Sequence, residues 1–112
     1  DYQQVDMIAV AGVYRPHCYE GKYLNENDRC TMQKKIDAIF RYAAYQEYET
    51  LVLGALGCDT IGNPPEEVRD MFADAITKYG RYFRNIVFAI THLNFEVFKN
   101  LSADKVLHAE TT

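Results

Sequence analysis

Three stretches of the chain are almost wholly apolar, and amphipathic or polar stretches separate them. The first, Val5 to Ala11, and the third, Asn85 to Ile90, are typical of strands buried on both faces of a parallel sheet. The second is the short run of strand formers at Thr50 to Leu53. Gly12 ends the first run. The polar, tyrosine-bearing loop that follows, residues 13–26, is long for a compact domain, and such loops are often functional.

Between these runs, apolar residues recur at the helical period. The first helix is predicted from an N-cap at Asn25, Asn27 or Asp28 to about Tyr48. Its apolar face consists of Met32, Ile36, Ile39, Phe40 and Ala43. The second helix is predicted to run from Pro64 to about Tyr79. Its apolar stripe consists of Val68, Phe72, Ala75, Ile76 and Tyr79.

The remaining elements follow from end signals. Gly80 is a natural left-handed residue beyond the second helix. Thr91 to Leu93 predict a loop, Asn94 predicts the N-cap of a short helix, and the tail from Ser102 is predicted to be polar and frayed. Strands that alternate with helices indicate an α/β fold with a mostly parallel sheet, in which functional loops follow the carboxyl ends of strands.

A glycine-rich loop joins the second strand to the second helix, in the stretch LVLGALGCDTIGNPPEEV at residues 51–68. Asn63 is predicted to cap the helix, with Pro64 at the first helical position and Glu66 completing a capping box. Glycines let the backbone approach a ligand, and free N–H groups near a helix N-terminus favour an anion. A plain tight turn is the alternative. The spacing of Gly54, Gly57 and Gly62 fits neither the Walker A loop nor the dinucleotide fingerprint.

The same letters resemble the diphosphate-binding loop of microbial-type poly(ADP-ribose) glycohydrolases, a branch of the macrodomain family. Members read close to LVLGA-x-GCGAF-x-NPPEEVA here, and the resemblance continues through VDMIAVAG, NIVFAI and NFEVF. It implies a three-layer α/β/α macrodomain-like fold in a single domain over residues 1–112, roughly the C-terminal half of a complete one. It also implies an ADP-ribose ligand held by Gly54, Gly57, Cys58, Asp59, Thr60, Ile61, Gly62 and Asn63.

The resemblance also sets expectations about partners. The ligand would be ADP-ribose or an ADP-ribosylated protein, and a missing N-terminal segment or a second chain would complete the domain. We expect no cofactor. No metal site is predicted, because the histidines and cysteines show no metal-ligand spacing.

Catalysis cannot be assigned to any residue of this sequence. The family's Gly-Gly-Gly and Gln-Glu-Glu motifs are absent, and Gln46-Glu47 lacks the preceding glycines. The parent protein either hydrolyses ADP-ribose linkages, with this chain supplying the loop, or is a reader without turnover; residues upstream of Asp1 would discriminate. The family usually has glycine at the position of Asp59 and an aromatic residue at that of Ile61. These two departures favour a protein that binds ADP-ribose without hydrolysing it. Replacing Asp59 with glycine should strengthen binding, because it removes a like charge near the diphosphate.

Two further interpretations remain open. Cys58 follows a strand at a sharp glycine turn, as a nucleophile elbow does, and His92 follows the next strand at the same end of the sheet. A Cys–His hydrolase would need the two side chains within hydrogen-bond distance of each other. The alternative is that Cys58 is simply a small residue of the loop and His92 a polar residue at the surface. The three tyrosines of the long loop either flank a base or sugar or cover the core. They are Tyr14, Tyr19 and Tyr23.

Composition narrows the class of protein. A length of 112 residues is typical of one small domain. A net charge of −4 argues against a nucleic-acid surface, although backbone amides can hold a phosphate without basic side chains. Three cysteines without a C-x-x-C pair indicate reduced thiols and an intracellular location, cytoplasmic or nuclear. No membrane-length apolar stretch or signal peptide is visible, and the start at Asp1 is typical of a fragment or processed product.

Overall fold

The computed structural model describes residue 6, residues 10–58 and residues 61–111, so most of the strand predicted at Val5 to Ala11 lies outside the described part. The α/β class is as predicted. In chain order the elements are β1 (Cys18–Tyr19), β2 (Lys22–Tyr23), α1 (Glu26–Tyr45), β3 (Thr50–Leu53), α2 (Pro65–Tyr79), β4 (Asn85–Thr91), α3 (His92–Phe98) and β5 (Val106–Thr111).

The main sheet is parallel and has the order β3, β4, β5. Its register places Leu53 beside Phe88, and Phe88 beside His108. β1 and β2 form a separate antiparallel hairpin within the long loop that precedes α1. A parallel sheet flanked by helices confirms the predicted fold class and is compatible with an α/β/α arrangement.

All three helices pack on one face of this sheet. Phe72 of α2 is the centre of the core, with its ring centroid 5.3 Å from that of Phe88, 6.1 Å from that of Phe98 and 6.2 Å from that of Phe40. These rings come from α1, α2, β4 and α3, and all four side chains are at most 1% exposed. Their tilted and edge-on contacts are the arrangement that aromatic pairs prefer.

The other face of the sheet has no helix on it in the described part of the chain. Val52, Val87 and Leu107 form a row across its three strands, and the first and last are 67% and 58% exposed. The neighbouring outward positions carry no charged side chain: Thr50, Asn85, Ala89, Thr91, Ala109 and Thr111. Parallel sheets are normally covered on both faces, and the apolar row across these three strands is typical of a covered face.

The first helix has the predicted apolar face but ends earlier than predicted. It begins at Glu26, where Asn25 is the N-cap and its side chain accepts a hydrogen bond from the Asn27 N–H at 2.8 Å. It ends at Tyr45 rather than Tyr48, because Glu47 takes a left-handed conformation with φ of 61°. That turn directs the chain into β3.

The second helix differs from the prediction at its C-terminal end. Gly80 has φ of −59°, so it is not the left-handed residue that was predicted there, and the chain continues as a 3-10 turn, Gly80–Tyr82. The ammonium group of Lys105 donates hydrogen bonds to the carbonyl oxygens of Gly80 and Phe83, each at 2.8 Å. A lysine from the segment before β5 therefore satisfies these carbonyls.

The C-terminal part contains the main errors of the sequence prediction. α3 begins at His92, directly after β4, so the predicted loop at Thr91 to Leu93 is wrong, and Asn94 is a buried residue inside the helix rather than its cap. The predicted frayed tail is also wrong, because β5 pairs with β4 along its whole length. β5 was not predicted because its sequence mixes polar and apolar residues. One of its inward positions is His108, whose ring stacks on that of Phe88 at a centroid distance of 5.6 Å.

Candidate functional site

The glycine-rich loop lies at the carboxyl end of β3 and is held against the loop that contains the hairpin. The Arg15 N–H donates to the Ile61 carbonyl oxygen at 3.0 Å, and the Cys18 thiol lies 3.9 Å from the Gly62 carbonyl oxygen. Gly12 is buried so closely against Gly57 that a methyl group on it would lie 2.9 Å from the Gly57 Cα. We call residues 12–24 the hairpin loop and residues 54–63 the glycine loop.

Asn63 joins the two loops through its buried side chain, which is 1% exposed. Its Oδ1 accepts a hydrogen bond from the Tyr23 hydroxyl at 2.6 Å. Its Nδ2 donates to the carbonyl oxygens of Val13 at 2.8 Å and Gly57 at 3.0 Å, and its backbone N–H donates to the same Gly57 oxygen at 2.8 Å. Both amide protons are used, so the side chain is fixed in place by three residues from the two loops.

The prediction that Asn63 caps the second helix is therefore wrong. Helix α2 begins at Pro65, its N-cap is Pro64, and no side chain makes a capping hydrogen bond there. The two prolines lack N–H groups, and Glu66 and Glu67 place carboxylates in the first turn, where they already complement the positive end of the helix dipole. The N-terminus of α2 is consequently a poorer anion site than the sequence indicated.

The glycine loop itself offers better donors. The N–H groups of Gly57, Ile61 and Gly62 have no hydrogen-bond acceptor among the described residues. Gly57 and Gly62 have φ of 73° and 77°, a left-handed conformation that glycine adopts without strain. Backbone N–H groups that lack acceptors within the protein are available to bind an anion.

The three glycines have different physical roles. A Cβ on Gly57 would lie 2.6 Å from Asn63 Nδ2 and 3.2 Å from the Gly12 Cα, so this position requires glycine for space as well as for its backbone. A Cβ on Gly62 would meet nothing within 4 Å, so only its positive φ requires glycine. Gly54 has neither requirement: its φ is outside the left-handed region and a Cβ there meets nothing within 4 Å.

Tyr23 is the polar anchor of the hairpin loop. Its N–H donates to a Glu67 carboxylate oxygen at 2.8 Å, which fixes the hairpin to the first turn of α2. Burial raises the pKa of the Tyr23 phenol above its ordinary value, and the nearby thiols of Cys58 and Cys18 and the carboxylate of Glu67 add to the effect. The phenol therefore stays protonated and remains a donor to Asn63. The other two loop tyrosines, Tyr14 and Tyr19, are 73% and 65% exposed.

The remaining predicted site residues fall into two groups. Cys58 and Ile61 are half-buried in the glycine loop, and the Cys58 thiol lies 3.6 Å from the Leu56 carbonyl oxygen. Asp59 and Thr60 lie outside the described residues. The sequence did not indicate that Gly12, Val13 and Arg15 belong to the site. The only sequence feature that pointed to them was the unusual length of the loop after the first predicted strand.

His92, the partner considered for Cys58, is oriented by another residue. Its Nδ1 lies 2.7 Å from a carboxylate oxygen of Glu110 on β5, and its side chain is 87% exposed. Cys58 follows β3, which lies on the opposite side of β4 from β5. The His92 imidazole is therefore held by Glu110 at the protein surface.

Two open surface grooves lie away from the glycine loop. One, of about 390 Å³, lies where α2 meets the segment before β5, and the other, of about 410 Å³, lies between α1 and α2. The second is lined by the carboxylates of Glu67, Asp70 and Asp74, which repel an anion. In the first, the Arg69 guanidinium already bonds Asp70. We therefore place the candidate site at the loop amides rather than in either groove.

Comparisons with protein-family models, with curated proteins and with solved structures found no match. Within the described residues, no helix is long and apolar enough to cross a membrane. The same part of the chain contains no group of three or more histidine, cysteine, aspartate or glutamate side chains placed to hold a metal ion. The geometry of the two loops therefore carries the functional argument.

Proposed function

We propose that this chain binds the diphosphate of ADP-ribose, or of an ADP-ribosylated protein, through the backbone N–H groups of its glycine loop. The observation that carries the proposal is the set of three N–H groups, on Gly57, Ile61 and Gly62, that lack acceptors among the described residues. Buried Asn63 holds the loop in the conformation that presents them. The resemblance of the loop to that of the microbial-type poly(ADP-ribose) glycohydrolases supplies the identity of the ligand.

The proposed role is binding rather than turnover by this chain alone. The sequence lacks the Gly-Gly-Gly and Gln-Glu-Glu motifs on which hydrolysis in that family depends. We propose that a further segment or a second chain packs on the uncovered sheet face around Val52 and Leu107 and completes a macrodomain-like domain. The apolar row of Val52, Val87 and Leu107 supports this part of the proposal, because parallel sheets are normally covered on both faces. Hydrolysis of ADP-ribose linkages would then belong to the completed assembly.

The sharpest test of the loop replaces Gly62 with valine. A Cβ at this position meets no atom of the described residues within 4 Å, so the added side chain is proposed to occupy the space where the phosphates would lie. We expect the dissociation constant for ADP-ribose, measured by isothermal titration calorimetry, to rise at least about tenfold, which corresponds to ~1.4 kcal/mol. Gly57→Val is a poorer test, because its clash with Asn63 would disturb the loop whether or not a ligand binds there.

Gly21→Val is the matched control. Gly21 lies in the turn between β1 and β2, has φ of 75°, and a Cβ there also meets nothing within 4 Å. Both substitutions therefore impose the same left-handed strain of roughly 1–2 kcal/mol, but only one faces the proposed ligand. Equal affinities of the two variants for ADP-ribose would show that the glycine loop does not hold the ligand.

A further inference from the structure

Arg15 has a positive φ although it lies neither in a hairpin turn nor at the end of a helix. Among the described residues, three that are not glycine have positive φ: Arg15 at 44°, Glu20 at 50° and Glu47 at 61°. Glu20 lies with Gly21 in the two-residue turn of the hairpin, where positive φ is required, and Glu47 ends helix α1. Arg15 lies in neither kind of turn, although left-handed geometry is strained for a residue with a Cβ atom.

The guanidinium of Arg15 is also without an anionic partner in the described part of the chain. The guanidinium groups of Arg29, Arg69 and Arg84 contact carboxylates, whereas Arg41 and Arg81 contact none among the described residues. Within the same part of the chain, the guanidinium of Arg15 contacts the ring of Tyr14, at 5.6 Å from the ring centroid. Both side chains are exposed, so the pair is open to a ligand from solvent.

The position of Arg15 connects it to the glycine loop. Its N–H donates to the Ile61 carbonyl oxygen at 3.0 Å, in the peptide group that also carries the Gly62 N–H. The backbone of Arg15 therefore brings a cationic side chain next to the glycine loop, in a protein whose net charge is −4. Arginine binds phosphate oxygens through two parallel N–H groups, and an aromatic ring behind the guanidinium keeps it in one orientation.

We propose that Arg15, supported by Tyr14, contacts the second phosphate of the ligand while the amides of the glycine loop hold the first. This inference rests on the proposed function and deepens it, because it makes the site selective for ligands with two linked phosphates over mononucleotides. The backbone strain at Arg15 then has a reason: it directs the chain so that the side chain starts beside Ile61. Stability and binding should consequently respond in opposite directions to the same substitution.

Arg15→Gly tests this directly. Glycine relieves the positive φ, so the midpoint of thermal unfolding should rise by about 4–8 °C. The dissociation constant for ADP-ribose and for ADP should rise roughly tenfold or more, since a charged hydrogen-bonding group is lost. The constant for AMP should change by less than about threefold, since AMP has no second phosphate for Arg15 to contact. Glu20→Gly is the control: it relieves a similar strain in the same loop and should leave all three affinities unchanged.

The outcomes separate this inference from the proposed function. If the unsubstituted protein and Arg15→Gly bind ADP-ribose equally well, or if ADP-ribose and AMP lose the same factor, the role of Arg15 is wrong while the role of the glycine loop stands. If Arg15→Gly lowers the unfolding midpoint, the residue is structural and the inference is also wrong. If the unsubstituted protein binds neither ADP-ribose nor ADP, the proposed function and this inference are both overturned.

Discussion

Replacing Asn63 with alanine should lower the free energy of unfolding by about 3 kcal/mol. The substitution removes the acceptor of the Tyr23 hydroxyl and the donor to the Val13 carbonyl oxygen, and it leaves these groups in a region where the Asn63 side chain was 1% exposed. Each buried polar group that loses its partner costs about 1–3 kcal/mol. Urea unfolding followed by circular dichroism measures the change.

Two further variants show whether the loss comes from the network. Tyr23→Phe removes one hydroxyl and should cost about 1 kcal/mol alone, and the double variant should cost less than the sum of the single ones, because Tyr23 and Asn63 share a hydrogen bond. Asn100→Ala is the control: Asn100 is exposed and its side chain makes one long hydrogen bond, at 3.4 Å, to the Glu96 carbonyl oxygen. A loss at Asn63 no larger than that at Asn100 would contradict the bridging role of Asn63.

Phe72→Ala should have the largest effect on stability, a loss of about 4 kcal/mol. The Phe72 side chain is 1% exposed and contacts aromatic rings from α1, β4 and α3, so its removal leaves a cavity at the point where three elements meet. Truncation of a buried phenylalanine costs ~3–5 kcal/mol, which is a large share of the 5–15 kcal/mol typical of whole domains.

The comparison residue is Phe95, on α3. It is only partly buried at the edge of the same core, so Phe95→Ala should cost clearly less in the same urea titration. Equal losses for Phe72→Ala and Phe95→Ala would show that Phe72 is not the centre of the core. If the Phe72 variant is too unstable to show a native baseline, Phe72→Leu gives the same ordering with a smaller loss.

The parts of the fold that could be predicted are those in which local pattern and tertiary burial agree. The apolar face of α1 and the strand at Thr50 to Leu53 are examples, because the same residues satisfy the local period and the core. β5 could not be predicted, because it is an edge strand whose inward positions include His108 and Glu110. His108 forms a hydrogen bond with the Leu101 carbonyl oxygen, and Glu110 forms one with His92. A local sequence pattern cannot show such contacts.

The candidate site shows the same limit. The glycine loop was visible in the sequence because Gly57 and Gly62 have conformations that few other residues adopt. The role of Asn63 was misread because a polar residue before two prolines fits a helix cap equally well. Only the approach of the hairpin loop, through Gly12 and Tyr23, converts Asn63 into a buried bridge. That approach joins positions far apart in the chain, and no local spacing encodes it.

A nuclear magnetic resonance titration of the isotope-labelled protein with ADP-ribose shows whether the glycine loop holds a diphosphate. The backbone amide signals of Gly57, Ile61 and Gly62 should shift most, because a bound phosphate would accept hydrogen bonds from N–H groups that have no acceptor among the described residues. The amides that line the two surface grooves, such as those of Thr77 and Asp74, should not move. Saturating ADP-ribose that leaves the three loop amides unshifted, or shifts only the groove residues, would contradict the account.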